Sequence, residues 1–176
     1  MSCSSATIRN EMAELEQMGY LGGAATVNGV NVFPHGYHDG ERFIIGGIFA
    51  EMYDALLKRD AIIPHWQRGW EPFNMEEYKL IIEEKLKDAS VDVYLESTLV
   101  AAAVKENRIS HIMINTLKGC IALEAEQFVD ATGDGDLMHR AEIPTVERGN
   151  FHSYSAFMIP LDTCRRALEC GNIARV

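Results

Sequence analysis

The sequence is short of several things, and each shortage removes a class of explanation. It is short of positive charge: 16 lysines and arginines stand against 26 aspartates and glutamates, a formal net charge of −10. Phosphate backbones repel such a chain, and no basic stripe offsets the repulsion, so nucleic acid is not expected as a partner. Long apolar runs are missing too. None approaches the roughly 20 residues needed to span a bilayer, and the start, "MSCSSATIRNEMAELEQ", lacks the basic and apolar regions of a secretory signal. No membrane partner is expected, and the expected location is the cytoplasm. There are only four cysteines, Cys3, Cys120, Cys164 and Cys170, and no two form a C-x-x-C pair. That argues against zinc and iron–sulfur centres and for free thiols in a reducing compartment. Nucleophile-elbow, H-E-x-x-H and P-loop motifs are also absent, which leaves a hydrolase reading without support.

What is present is enough for a folded domain. The chain has 176 residues, 47% of them hydrophobic. That supports one core and excludes a disordered composition. Ile8, Met12, Leu15 and Met18 recur at helical spacing and predict a helix over 8–18. A long glycine-rich stretch follows, "GYLGGAATVNGVNVFPHGYHDG". Residues 41–62 then predict a helix with Ile45, Ile48, Phe49, Met52 and Leu56 on one face, with Gly46 and Gly47 weakening its first turn. "IIPHWQRGWEPF" reads as a connecting loop. Asn74 as N-cap with Glu77 three residues on predicts the next helix, whose apolar face is Tyr78, Ile81, Ile82 and Leu86.

"VDVYLE" alternates as a strand, with Val91, Val93 and Leu95 to one side. "TLVAAAV", "ISHIMIN" and "CIALEAEQFVDAT", separated by "KENR" and "TLKG", predict a β-meander whose last piece returns through 128–131 to a glycine turn. A short helix starts at Asp136. Beyond Pro144, "SAFMIPL" suggests a strand and "DTCRRALECGN" a helix stopped at Gly171.

The segment "FVDATGDGDLMHRA", 128–141, concentrates three aspartates. As a calcium loop counted from Asp130 it has Thr132 at the third position and Ala141 at the twelfth, where a bidentate glutamate is needed. Two readings stay open. A strand-end glycine turn lets backbone N–H groups approach a phosphate or sugar, while an aspartate accepts from ribose or ribityl hydroxyls. Alternatively this is a tight turn whose Asp136 caps the following helix.

Three segments, in order and in register, resemble one family. "FVDATGDGDL" followed by "AEIP" resembles "IDATGDGDLA…AGAP" of the FAD-dependent oxidoreductases related to the flavin subunit of heterodisulfide reductases. "EQMGYLGGAAT" is similar to that family's "ERxGFLGGxAT". "FNMEEYKLIIEEKLKDASVDVYLESTLVAAAVKENRISHIMI" is similar to its long helix–strand–meander stretch. The similarity covers most of residues 16 to 165.

The resemblance implies an α/β fold, a partial FAD/NAD(P)-binding Rossmann-type domain with an antiparallel β-meander insertion, and FAD as cofactor. It implies that Glu16 binds the adenosine ribose. Gly22, Gly23, Ala25 and Thr26 would lie along the pyrophosphate or near the isoalloxazine, the backbone of Leu99 would face the adenine, and Ala131, Thr132, Gly133 and Asp134 would close over the cofactor. The family opens with a strand and G-x-G-x-x-G; this sequence contains no such motif.

The chain is therefore expected to be an interior piece of a longer flavoprotein. The expected segments are an FAD-contacting loop region over 1–40, helices and a strand over 41–97, the meander over 98–127, a return strand and glycine turn over 128–142, and the start of a substrate-side region over 143–176. A small-molecule substrate or an electron-transfer partner is expected. Open strand edges favour self-association.

Weaker candidates for the site are His35, His38 and Asp39 in "FPHGYHDG", and Arg148, His152 and Tyr154 in "VERGNFHSYSAF". Trp66 and Trp70 read as packing anchors.

Overall fold

The computed structural model describes residues 4–5, 12–33, 44–64, 70–146, and 162, 165, 166 and 169. The chain divides into two units, Met1–Pro144 and Thr145–Val176.

In the first unit, β2 (Ala13–Leu15) and β5 (Asp92–Tyr94) form a parallel pair, with Ala13 opposite Asp92 and Leu15 opposite Tyr94. This corrects the helix expected over 8–18 for the part that is described. "EMAELEQM" is rich in helix formers, but local propensity amounts to tenths of a kcal/mol per residue and yields to burial. Leu15 and Tyr94 share a face and pack against the meander, which only the extended form permits.

Parallel strands require a long crossover. Here it contains α1 (Ile48–Lys58) and α2 (Met75–Asp88). The first helix starts later than its apolar spacing suggests. Gly47, its N-cap, has φ 62° and ψ −138°, a conformation open essentially to glycine alone. Ile45 and Ile48 are consequently exposed. The buried face of α1 is Met52, Tyr53 and Leu56, with Phe49 packed beside it. The second helix begins as expected: the Asn74 side chain accepts hydrogen bonds from the N–H groups of Glu76 and Glu77. Arg59, just past α1, pairs with Glu77 and Glu84 of α2, and Lys85 pairs with Glu51 at 2.7 Å.

A short antiparallel pair, β3 (Val32–Phe33) with β4 (Glu71–Pro72), closes this layer. The segment read as a plain loop thus contributes a strand, and Glu71 within it is fully buried. Phe33, Phe73 and Tyr78 stack in the same core, with Phe33 and Phe73 centroids 4.6 Å apart.

The meander is as expected: β6 (Thr98–Lys105), β7 (Arg108–Thr116) and β8 (Gly119–Glu124), all antiparallel. Glu106 and Asn107, both at positive φ, make the first hairpin turn. A two-residue strand, β1 (Ser4–Ser5), joins parallel to β8, giving the order β1-β8-β7-β6.

The return strand over 128–131 does not form. Residues 125–131 run without a ladder partner among the described residues, and Val129 is 86% exposed. The chain then enters α3 (Asp136–Arg140), whose Leu137 packs into the meander core with Phe128.

Cys120 is disulfide-bonded, which corrects the free-thiol reading for that residue. Cys3, Cys164 and Cys170 lie outside the described residues. So does most of the second unit, including the strand expected over 155–161. Asp162, Arg165, Arg166 and Glu169 have helical geometry, with Arg165 Nη1 3.5 Å from Asp162 Oδ1. Among the described residues no helix is long and apolar enough to cross a membrane.

Candidate functional site

Glu16 stands at the carboxyl end of the β2/β5 pair. In open α/β sheets this is the end where ligands bind. The ladder continues through it: Glu16 N–H donates to Tyr94 O, and Ser97 N–H donates to Glu16 O. The residue is half-buried, and its carboxylate is oriented by Met18, whose N–H donates to Oε1 at 2.8 Å. Alternation along β2 puts Glu14 and Glu16 on the face opposite Leu15. Burial first, and then the charge of Glu16, push the Glu14 carboxyl above the ordinary glutamate value. Strand β5 puts Val93 on that same face. There a cleft of about 550 Å³ opens between β5 and α2, lined by Leu21, Val91, Val93, Leu95, Glu83, Lys87 and Ser90.

The glycine segment that follows is a compact structure with its own hydrogen bonds. Leu21 is buried, and Lys79 of α2 holds Tyr20 by its ring face at 4.1 Å. Gly22, at φ 113°, opens a 3-10 turn over Gly23–Ala25. Thr26 is buried, and its hydroxyl donates to Leu21 O at 2.8 Å. Thr26 is thus committed to holding the turn together, and Ala25 packs on the aromatic core. Gly23 is the exposed member, and a Cβ there would meet nothing.

Among the aspartates of 128–141, Asp130 has a local role. Its Oδ1 accepts from the Thr132 hydroxyl at 2.7 Å and from Thr132 N–H at 3.1 Å, and its Oδ2 accepts from Met138 N–H at 3.0 Å. The Thr132 hydroxyl oxygen in turn accepts from the N–H groups of Gly135 and Asp136. The helix N-cap position is Gly135, without a side-chain cap. Asp130 therefore does the capping that the tight-turn reading gave to Asp136, from six residues upstream. Gly133 and Gly135 are both at positive φ, and a Cβ on Gly133 would point into open space. Asp134 is exposed beside it.

Partial burial raises the Asp130 pKa, but the hydrogen bonds from Thr132, Met138 and Leu137 outweigh it and hold the carboxyl below the ordinary 3.8. A depressed carboxyl stabilises the fold above its unfolded value, and the contribution is lost as pH falls through the folded value. Acid unfolding of the native chain and of Asp130→Asn is therefore expected to differ above about pH 4 and to converge below it. Equal pH profiles for the two would remove Asp130 from this role.

One core draws the separated candidates together. Leu15, next to Glu16, packs in the same cluster as the candidate Leu99 and as Phe128 and Leu137, which flank the aspartate turn. Leu99 pairs with Ile114 beside a register shift at Val100. Of the glycine segment, Ala25 packs instead on the aromatic core. His35, His38, Asp39, Trp66, Arg148, His152 and Tyr154 lie outside the described residues. Trp70 is 38% exposed. Among the described residues no three His, Cys, Asp or Glu side chains are placed to hold a metal ion.

Glu71 went unnoticed in the sequence as a buried carboxyl beside Tyr53. Burial first, then this neighbour, push the Tyr53 hydroxyl far above its ordinary value. Only its position in a strand of the aromatic layer reveals it.

Comparison with known proteins agrees with this architecture. No curated protein matches the chain. The crystal structure of Thermovibrio ammonificans THI4 is similar in fold, with a TM-score of 0.52 at 16% identity, over 76% of this chain and 53% of that one. The chain spans about half the length of that protein. A partial Rossmann-type α/β domain carrying an antiparallel meander is thus the observed fold. The model of one family, described as FAD dependent oxidoreductase, matches residues 15–165. That is most of the chain, and it contains the end of β2 with Glu16, the glycine segment, the meander and the aspartate turn: the chain belongs to the FAD dependent oxidoreductase family, whose cofactor is FAD.

Proposed function

We propose that the chain forms the ribose-side wall of an FAD site in an oxidoreductase related to the flavin subunit of heterodisulfide reductases. The observation that carries this reading is the placement of Glu16 at the carboxyl end of a parallel strand pair. It is half-buried and oriented by one backbone N–H. Its Oε2 has no hydrogen-bond partner among the described residues, so it can accept from the two hydroxyls of a ribose.

Gly23 and Gly133 fit the approach of a bulky cofactor, since neither has a neighbour where a side chain would stand. Gly23 presents backbone toward the pyrophosphate. Gly133 and Asp134 approach the ribityl chain, where Asp134 accepts hydroxyl hydrogens. Ala131 and Thr132 fix that turn, and Gly22, Ala25 and Thr26 fix the other. The backbone of Leu99 faces the adenine. FAD, when bound, supplies the uptake of a hydride or two electrons from a small-molecule substrate or an electron-transfer partner. Among the described residues no third strand joins the β2/β5 pair, which supports self-association as well.

The first test is the visible spectrum of the purified chain after incubation with FAD and removal of the excess. A retained flavin band is expected, and Glu16→Gln is expected to weaken binding by roughly tenfold with melting unchanged. A full-affinity Glu16→Gln variant would take the ribose away from Glu16. The missing G-x-G-x-x-G favours a second reading, a non-catalytic chain that takes up FAD only when a separate segment carries that motif. A colourless chain that colours on addition of such a segment would select it.

A further inference from the structure

The sequence contains a single Asn-Gly pair, Asn28–Gly29, in the segment that leads from the Gly23–Ala25 turn to β3. We infer that Asn28 is a self-modifying site: the Gly29 nitrogen closes on the Asn28 side chain, and the amide is converted to isoaspartate and aspartate without an enzyme.

Geometry singles this pair out. Asn28 and Gly29 are both exposed, as are Val27 and Val30 on either side. Gly29 has φ 69°, and no atom lies within 4 Å of where its Cβ would stand, so the chain around it is open. Among the described residues, neither the Gly29 N–H nor the Asn28 side chain makes a hydrogen bond, although nearby amides do: Val27 N–H donates to Gly23 O at 2.7 Å and Val30 N–H to Ala24 O at 3.0 Å. Comparable groups are held. Gly135, which follows Asp134, has its N–H bonded to the Thr132 hydroxyl oxygen at 3.1 Å. Asn31 is half-buried, its side-chain amide donates to Phe73 O at 2.8 Å, and the β-branched Val32 follows it.

The reaction needs only water and involves no change of oxidation state. The Gly29 nitrogen forms a bond to Asn28 Cγ, the Cγ–N bond of the side-chain amide breaks, and the proton from Gly29 leaves with the departing nitrogen as ammonia. A five-membered succinimide remains. One water then opens it. Attack at the backbone carbonyl gives isoaspartate, whose main chain runs on through Cβ and Cγ, and attack at Cγ gives aspartate. Either product adds a negative charge. Isoaspartate also lengthens the main chain by one methylene inside a segment pinned at both ends, by Val27 N–H to Gly23 O and by Asn31 O, which accepts from Phe73 N–H at 2.9 Å. The inference does not depend on FAD.

The full chain is aged in mildly alkaline buffer beside a synthetic peptide of residues 23–33, and both are sampled from zero time. Trypsin cuts at Arg9 and Arg42, so one fragment, 10–42, carries both Asn28 and Asn31, and fragmentation by mass locates the acid. Isoaspartate is counted by methyl transfer from S-adenosylmethionine with an isoaspartate-specific carboxyl methyltransferase. Position 28 is expected to turn acidic at a rate within about tenfold of the peptide's, as fits an exposed turn whose opening costs little free energy. Isoaspartate is expected among the products, Asn31 is expected to remain an amide, and Asn28→Gln is expected to lose the change. Three results would each overturn the inference: a native rate more than about tenfold below the peptide's, aspartate without isoaspartate, or conversion at Asn31 ahead of Asn28.

Discussion

Replacing Gly22 with valine is expected to destabilise the chain by about 3 kcal/mol or more and to abolish FAD uptake. A Cβ at position 22 would stand 2.6 Å from Thr26 Cγ2 and 2.7 Å from Thr26 Oγ1. Thr26 has nowhere to go: it is buried, and its hydroxyl is bonded to Leu21 O. The backbone adds a second cost, because φ 113° suits glycine and a β-branched side chain least of all. Against a total stability of roughly 5–15 kcal/mol, the loss is large.

Gly23→Ala is the companion variant. Its Cβ meets no atom, and its φ of 50° costs only about 1 kcal/mol. Its expected signature is weaker FAD binding in a folded protein. Chemical denaturation of both, alongside FAD titration, separates the two roles. Equal stability of Gly22→Val and the native chain would sink the account of this turn.

The second large effect belongs to the other core. Ile114→Ala is expected to cost about 3–4 kcal/mol, within the range for buried aliphatic truncation. Ile114 is fully buried on β7 and stands between Leu99 of β6 and Ile121 of β8. The same cluster carries Leu15, Phe128 and Leu137, so the cavity loosens the supports of Glu16 and of the aspartate turn together. FAD affinity should fall with stability. Leu117→Ala, 84% exposed in the next turn, should change neither by more than about 0.5 kcal/mol. A calorimetric midpoint for Ile114→Ala within a degree of the native value would show that this cluster is not the structural core of the site.

The sequence by itself determined whatever is written within a few residues. The α2 cap at Asn74, the amphipathic stripe through Ile81, and the three meander strands with their two turns all follow from local pattern, because capping, helical spacing and alternation act between near neighbours. The three motif segments likewise led to FAD and to the family without coordinates.

Tertiary structure decided the rest. Residues 13–15 spell helix and fold as strand because Tyr94 and the meander, some eighty positions away, offer Leu15 a buried face only in extended form. Residues 128–131 spell strand, yet no strand among the described residues pairs with them, and Asp130 caps α3 instead. Cys120 looks like a free thiol in the sequence and is disulfide-bonded in the fold. In each case the deciding free energy comes from burial or from a bond to a group distant in sequence, and its size exceeds the tenths of a kcal/mol by which local propensity speaks.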